Sequence, residues 1–357
     1  MVQYFATWAE DGPARRHRLR VDKENRLPKK EAQTTSSDAS RDGLAALIKA
    51  LRVSHWTKNF FVFAALLFGA HWERLDAWGL SLAAFVAFCL TSSAVYLIND
   101  VCDRQTDRAH PAKRFRPVAS GRLPVAVAMA AAGVLLALAA VVVAFVGLRS
   151  YGLSHPLHGL GLPIWTAAYL ALNLAYSLGL KARPILDVVI VALGFVLRAM
   201  AGAAAINVPA SPWLVVCTFM LCLFIALAKR RSEILELGEQ AAATRRVNRF
   251  YTVGNLEHML AVAAGLAILA YSLYCLAPQT VSHVHSANLI WTIPLVVYGM
   301  FRYYCLTLTA GTQDPTRLLL CDKVLWLVGM LWLAMVVAVL KWGAGEFFRG
   351  IIDSTGS

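Results

Sequence analysis

Long apolar stretches alternate with short polar connections along most of the chain. A helix that spans a bilayer needs about 20 mostly apolar residues. Nine stretches approach this length, at 53–71, 77–98, 124–147, 160–179, 184–206, 211–228, 256–277, 288–309 and 323–343. They predict an all-α membrane protein built as a bundle of nine transmembrane helices.

The two ends of the chain lack this pattern. Residues 1–43 are polar, mixed in charge and interrupted by Gly12, Pro13 and Pro28, which predicts a disordered cytoplasmic arm. The remainder divides into a transmembrane domain over 44–345 and a short C-terminal tail over 346–357.

Composition and charge narrow the class further. The chain is 58% hydrophobic and 15% charged, with a mean hydropathy of +0.57, which excludes an ordinary soluble domain. The net charge of +13 comes largely from basic residues in alternate connections, whereas the connections after the fifth and seventh stretches contain no Lys or Arg. This is the positive-inside pattern. It predicts a multi-pass protein of the cell (inner) membrane with a cytoplasmic N-terminus and an extracytoplasmic C-terminus, and it gives no indication of nucleic-acid binding.

The second apolar stretch runs directly into an acidic segment. Asn99, Asp100, Asp103 and Asp107 follow it without an intervening Gly or Pro, so the helix is expected to continue and to place the three carboxylates on one face with Asn99 beside them. Carboxylates held together at a membrane boundary need a cation, and Mg²⁺ prefers such oxygens and is normally completed by substrate phosphates. The alternative is a solvated acidic helix end, balanced by neighbouring arginines.

Basic residues follow the acidic segment closely. Lys113, Arg114 and Arg116 precede a Ser-Gly turn, so acid for a metal and base for phosphates alternate within a short segment. This combination predicts a site for a metal-bound diphosphate at the cytoplasmic face.

Four further residues within or near the apolar stretches are candidate phosphate ligands. Tyr176 and Lys181 lie at the end of the fourth stretch, where an interfacial tyrosine and a snorkelling lysine are an equal alternative. Arg198 lies inside an apolar stretch and must find an anion or a carbonyl group there. Lys58 lies near the cytoplasmic end of the first stretch, where simple snorkelling also explains it.

The end of the sixth stretch carries a cluster of charge. A positive-inside cluster accounts for Arg230 and Arg231 but leaves Glu233 unexplained. Glu233 could neutralise these arginines or face the metal.

Together these motifs resemble the UbiA superfamily of intramembrane prenyltransferases over about residues 44–343. The similarity rests on the acidic motif from Asn99 to Asp107, on Tyr176 with Lys181, and on the nine spans. Within the superfamily, five segments are similar to the decaprenyl-phosphate phosphoribosyltransferase branch: 51–59, 93–100, 110–121, 186–198 and 228–233. Aromatic prenyltransferases of the superfamily carry a second aspartate-rich motif where this chain has Lys229 to Glu233, and the extra cations suit a donor and an acceptor that both bear phosphates.

The resemblance implies a UbiA-type bundle with a cytoplasm-facing active site. It implies Mg²⁺-dependent transfer of the 5-phosphoribosyl group from phosphoribosyl diphosphate to a polyprenyl phosphate, a step toward an arabinose donor for the cell envelope. The implied metal ligands and catalytic residues are Asn99, Asp100, Asp103 and Asp107. The implied substrate contacts are Lys58, Lys113, Arg114, Arg116, Tyr176, Lys181, Asp187, Arg198, Arg230, Arg231 and Glu233.

Two alternatives remain open at this point. An aromatic prenyltransferase of quinone biosynthesis would use the same metal chemistry with a polyprenyl diphosphate donor. A transporter is more remote, because its ion sites would lie near the middle of the bilayer, whereas the carboxylates here cluster at its edge. The sequence does not indicate an oligomeric state.

Overall fold

The structure, a computed structural model, describes residues 36–69, 73–151, 161–210, 212–238, 246–284, 288–309, 318 and 321–342. Residues 1–35 of the predicted arm and the whole predicted tail at 346–357 lie outside this part of the chain. Helix α1 begins at Ser36, so the last residues of the predicted disordered arm are helical. Its sequence accounts for this, because alanines and leucines from Ala39 onward favour a helix.

Within these ranges the chain is helical and contains no β-strand. The α-helices are α1 (Ser36–Leu51), α2 (Ala64–Phe68), α3 (Leu75–Cys102), α4 (Arg104–Ala109), α5 (Val125–Tyr151), α6 (Gly161–Leu178), α7 (Leu186–Ala205), α8 (Pro212–Leu237), α9 (Val253–Leu276), α10 (Pro278–Val284), α11 (Ile293–Thr309) and α12 (Lys323–Trp342). Short 3-10 helices cover Val53–Phe63, Lys113–Phe115, Leu180–Ala182, Arg246–Phe250 and Asn288–Thr292.

Six of these helical segments are long and apolar enough to cross a membrane. They are Leu75–Cys102, Val125–Ser150, Leu186–Ala205, Val253–Leu276, Asn288–Thr309 and Lys323–Lys341. In such a helix the backbone N–H and C=O groups form hydrogen bonds with one another, which the bilayer interior requires because it offers no water. The chain is therefore a membrane-embedded protein, and the part of it that the structure describes is helical.

The first predicted span differs from the prediction. Instead of one helix over 53–71, the chain forms eleven residues of 3-10 helix and then the five-residue helix α2. The change of direction begins at Arg52, whose φ of 52° is left-handed. Side chains of this segment are held by α3, because Trp56 donates to Ser93 Oγ at 3.1 Å and Asn59 donates to Ser92 Oγ at 3.3 Å. These tertiary contacts replace the regular helix that the apolar pattern predicts.

Helices α3 and α7 are the most deeply buried spans. In each, 61% of the apolar window is buried within the protein, against 17% for α12. Helix α3 packs on α5, and the sequence of neighbours then runs from α6 to α7, α8 and α9. Helix α7 contributes Ala201 and Ala205 to one hydrophobic core and Val188 to another. It therefore links the first and second halves of the bundle.

Close packing of α7 depends on Gly202. A Cβ atom at this position would lie 1.9 Å from the carbonyl oxygen of Val62, far inside a van der Waals contact. Small residues let membrane helices approach their neighbours in this way. At Gly202 the approach is to the backbone of the 3-10 segment.

We expect Gly202→Ala to destabilise the protein by about 2 kcal/mol or more, because backbone must move to admit the methyl group. The measurement is the apparent melting temperature of the protein purified in detergent. Gly265→Ala is the matched control, since a Cβ there meets nothing within 4 Å, and it should melt at or slightly above the wild-type temperature. Equal melting of both variants would contradict the close contact.

Candidate active site

A cavity of about 510 Å³ lies where the ends of α3 and α6 meet the connections that follow them. Such a volume is within the range of small-molecule sites. Its wall is formed by Arg52, Val95, Tyr96, Asn99, Asp103, Thr106, Asp107, His110, Lys113, Arg116, Asn173, Tyr176, Ser177, Lys181 and Ala182. Four of these residues are cations and two are carboxylates, so the cavity presents both signs of charge.

The acidic segment behaves largely as its spacing predicts. Helix α3 continues to Cys102, and α4 resumes immediately after Asp103. Backbone hydrogen bonds of 2.8 Å from Asp103 N to Asn99 O and from Asp107 N to Asp103 O carry the turn across the junction. Asn99, Asp103 and Asp107 consequently share the cavity wall.

Asp100 occupies a different position from the predicted one. It is 1% exposed and does not line the cavity. Its Oδ1 atom accepts from Arg52 and, at 3.3 Å, from Arg116, which also donates to Asp107 Oδ2 at 2.7 Å. Arg52, Asp100, Arg116 and Asp107 thus form a chain of alternating charge. Asp100 binds both arginines without lining the cavity itself.

A second polar chain crosses the cavity from α6 to α3. Ser177 donates to Asn99 Oδ1 at 3.1 Å, and Asn99 donates to Asp103 Oδ2 at 3.1 Å. The other carboxylate oxygen of Asp103 is paired with Lys181. The side chains of Lys181 and Asp103 remain 19% and 22% exposed, so an incoming ligand can reach them.

Lys113 and Arg116 are presented by a connection that two other arginines hold in shape. Arg108 donates to the carbonyl oxygen of Ala119 at 2.9 Å, and Arg122 donates to that of Phe115 at 2.7 Å. Gly121 supplies the left-handed φ of 81° that the turn needs. Hydrogen bonds from charged donors to carbonyl groups are stronger than neutral ones. These bonds therefore stabilise the conformation of the connection that carries Lys113 and Arg116.

Four cations and two carboxylates give the cavity wall a net positive charge. Burial, and then the nearby ammonium of Lys113, lower the pKa of His110, although Asp107 and Glu233 act in the opposite direction. Burial also lowers the pKa of Arg52, while Asp100 raises it. Arginine remains charged in proteins, so Arg52 retains its positive charge at the wall.

The oxygen donors of the wall fit a hard divalent cation. Within the described residues no three His, Cys, Asp or Glu side chains form a metal-binding cluster. Asn99, Asp103 and Asp107 nevertheless put an amide oxygen and two carboxylates on one surface. A hard cation that is completed by water and substrate phosphates needs only one or two carboxylates from the protein, and the neighbouring cations are suited to those phosphates.

The sequence of the chain matches a known protein family. Residues 59–328 match the model of the UbiA prenyltransferase family. The chain belongs to this family. Its UbiA domain thus covers most of the described helices, including every residue of the cavity wall except Arg52.

Curated relatives and solved structures agree with this assignment. The decaprenyl-phosphate phosphoribosyltransferase of Corynebacterium glutamicum is 36% identical over 296 residues, which cover 82% of this chain and 85% of the relative. The enzyme of the same name from Mycolicibacterium smegmatis is 33% identical over 323 residues, 87% of this chain and 96% of the relative. A UbiA homologue from Archaeoglobus fulgidus, solved with DMAPP and Mg²⁺, has a TM-score of 0.60 at 18% identity and covers 83% and 99% of the two chains. The chain is a transferase with the UbiA fold.

Several predicted substrate ligands of this UbiA protein lie away from the cavity wall. Arg198 is 5% exposed and donates at 2.8 Å to Asn59 Oδ1, to the Gly194 carbonyl oxygen and to the Tyr169 hydroxyl. The expectation that an arginine inside an apolar stretch contacts an anion or a carbonyl group is thus met by the Gly194 carbonyl oxygen. Its contact with substrate stays a prediction that this geometry does not support.

The predicted ligands at the end of α8 are also engaged internally. Arg230 is paired with buried Asp187 and, at 2.6 Å, with Glu233. Arg231 binds Glu257 at 2.7 Å and donates to the Thr307 carbonyl oxygen at 2.9 Å near the end of α11. Each arginine therefore joins helices of the second half of the bundle.

Lys58 and Arg114 do not line the cavity either. Arg114 is exposed and stacks over Phe115, with its guanidinium carbon 4.8 Å from the ring centroid. Lys58 is half-buried within the 3-10 segment. Their substrate contacts likewise stay predictions.

The residues of the wall that were not predicted from the sequence include Arg52, Tyr96, Asn173 and Ser177. Arg52 lines the cavity from a left-handed backbone position, which hydropathy does not indicate. Asn173 and Ser177 could be recognised as polar residues in an apolar helix, with a spacing that puts them on one face. Tyr96 is indistinguishable from a core aromatic in the sequence.

We expect Arg198→Lys to lower stability by about 2 kcal/mol, because an ammonium cannot replace three bonds that diverge from one guanidinium. Thermal denaturation in detergent measures the effect. Arg114→Lys, a change at an exposed arginine, is the control and should melt with the wild type. A lysine at 198 that leaves the melting temperature unaltered would show that the three bonds are not structural.

Proposed function

We propose that the chain transfers the 5-phosphoribosyl group from phosphoribosyl diphosphate to a polyprenyl phosphate and releases diphosphate. The observation that carries the proposal is the charge of the cavity wall, where four cations surround two carboxylates. One substrate bears a diphosphate and a 5-phosphate, and the other is a phosphate. The names of the relatives that share a third of their residues with this chain support the same reaction.

The proposed setting is the cytoplasmic face of the cell membrane. Basic residues of the connections that border the cavity, such as Lys113 and Lys181, follow the positive-inside rule. We accordingly propose nine crossings, an N-terminus in the cytoplasm and a C-terminus outside. This orientation gives the water-soluble donor access from the cytoplasm and gives the lipid access from the bilayer.

The proposed cofactor is Mg²⁺, held by Asp103 and Asp107 with the amide oxygen of Asn99. When bound, it would neutralise negative charge on the departing diphosphate. Asp100 acts indirectly in this arrangement, because it fixes Arg52 and Arg116 rather than facing the cavity.

The remaining chemistry is positioning and charge compensation. Lys113, Arg116 and Lys181 bind donor phosphates, and Arg52 lies close enough to share this role. The bond between ribosyl C1 and the diphosphate oxygen breaks with its electron pair on the diphosphate. A phosphate oxygen of the lipid forms the new bond to C1 from the opposite face. That oxygen is already ionised near neutral pH, so no general base is required. Most of the rate enhancement comes from holding the two substrates in a reactive orientation and from fixed charges that stabilise the transition state.

The proposal predicts which label enters lipid. Membranes that contain the chain should incorporate radiolabel from phosphoribosyl diphosphate into a polyprenyl phosphate product, and chelation with EDTA should stop it. Labelled polyprenyl diphosphate with an aromatic acceptor serves as the competing assay. Incorporation only in that second assay would identify an aromatic prenyltransferase instead.

We expect Asp103→Ala to reduce transfer by at least about a hundredfold without loss of folding, because this side chain is partly exposed. Asp100→Ala should lose both activity and thermal stability, since Arg52 and Arg116 then lose the buried carboxylate that pairs with both of them. Rates and melting temperatures of the purified variants test this difference. Asp76→Ala, at the other end of α3 and exposed, should leave both quantities unchanged, and an active Asp103→Ala enzyme would refute the metal assignment.

A further inference from the structure

The connection between α6 and α7 contains a strained turn. Ile185 has φ 67° and ψ −47°, and Leu186 N donates to the Pro184 carbonyl oxygen at 2.7 Å. These values describe a γ-turn with positive φ, a rare and strained conformation. A β-branched residue is especially disfavoured there. Something outside the turn must therefore hold it.

Tyr251 supplies that hold. Its hydroxyl accepts a hydrogen bond from Ile185 N at 2.7 Å and donates one to Asp187 Oδ1 at 2.7 Å. The other oxygen of Asp187 is paired with Arg230, and all three side chains are buried. Burial, and then the hydrogen bond to Asp187, raise the pKa of Tyr251, so the phenol remains a donor at neutral pH.

The turn is connected to the cavity by a short run of backbone hydrogen bonds. Asp187 N donates to Arg183 O at 3.2 Å, and Arg183 N donates to Leu180 O at 3.0 Å. Lys181, which lines the cavity and pairs with Asp103, lies in the segment that these bonds span. The strained turn at Ile185 and the ammonium group of Lys181 thus belong to one hydrogen-bonded connection.

We propose that Tyr251, Asp187 and Arg230 are positioning residues that hold the γ-turn at Ile185 and so set the ammonium group of Lys181 at the cavity wall. Asp187 and Arg230 then act without touching substrate, which agrees with their mutual pairing and their absence from the wall. The identity of the phosphate that Lys181 binds rests on the proposed function, whereas the brace itself does not.

The test is Tyr251→Phe, which keeps the ring and removes both hydrogen bonds. We expect the KM for phosphoribosyl diphosphate to rise by about tenfold, since small displacements of a binding group are costly, with a smaller change in kcat. Tyr271→Phe is the matched control. It removes a buried hydroxyl that contacts Thr292 at 2.7 Å and Trp332 at 2.9 Å in another hydrophobic cluster, and its KM should equal that of the wild type.

A rescue separates positioning from general stability. Glycine adopts positive φ without strain, so Ile185→Gly in the Tyr251→Phe background should bring the KM back toward the wild-type value. In a Lys181→Met background, Tyr251→Phe should add no further increase. An additive increase, or equal effects of the two tyrosine variants, would overturn the proposal. If Tyr251→Phe alone does not fold, folding of the double variant with Ile185→Gly supports the brace and its failure to fold overturns it.

Hydrogen exchange of the purified protein without substrate tests the brace independently of activity. Tyr251→Phe should accelerate exchange of the amides over 183–189, and Tyr271→Phe should not. Unchanged exchange in this segment would refute the brace. Accelerated exchange in a protein whose wild type transfers no phosphoribosyl label would instead refute the proposed function and leave the brace intact.

Discussion

The arrangement of this protein depends on the pairing of charges that are removed from water. An ionised carboxylate inside a helical bundle is several kcal/mol less stable than in solvent unless a cation and hydrogen bonds compensate it. Asp100, Asp107 and Asp187 are each at most 4% exposed, and each is contacted by arginine. Arg52 and Arg230 come from distant parts of the sequence, so their pairing with Asp100 and Asp187 also determines how helices and connections are held against one another.

The same constraint has different consequences at different depths. At the cavity, the pair of Lys181 and Asp103 is partly exposed. Lys181 is therefore accessible to an anionic ligand, and Asp103 is accessible to a cation. Deeper in the bundle, the pair of Arg230 and Asp187 is closed to solvent and is joined through Tyr251 to the turn at Ile185. Arg198 shows a third solution, in which neutral oxygen atoms of Asn59, Gly194 and Tyr169 surround a guanidinium. Charge in this bundle is thus divided between a cavity wall that solvent reaches and an interior that it does not.

Periodicity made the helices and the acidic wall predictable. The apolar stretches at 77–98 and 184–206 coincide closely with α3 and α7, and a spacing of four residues places Asn99, Asp103 and Asp107 together. Pairing across long separations was not predictable in this way. Arg230 meets Asp187 over 43 positions, so its sequence environment suggests only a cytoplasmic charge. The prediction of one regular helix over the first span was wrong for a related reason, because the left-handed backbone at Arg52 and the hydrogen bonds of Asn59 to α3 leave no mark in hydropathy.

Arg108 and Arg122 have two roles that are normally considered separately. They count toward the basic excess from which we propose the orientation of the chain, and their guanidinium groups also bind the carbonyl oxygens of Ala119 and Phe115. The translocation machinery responds to charge alone, so lysine at either position would preserve the topology while giving up a planar donor that the folded connection uses. At these two positions arginine therefore satisfies both the proposed orientation and the fold of the connection, whereas lysine would satisfy only the first.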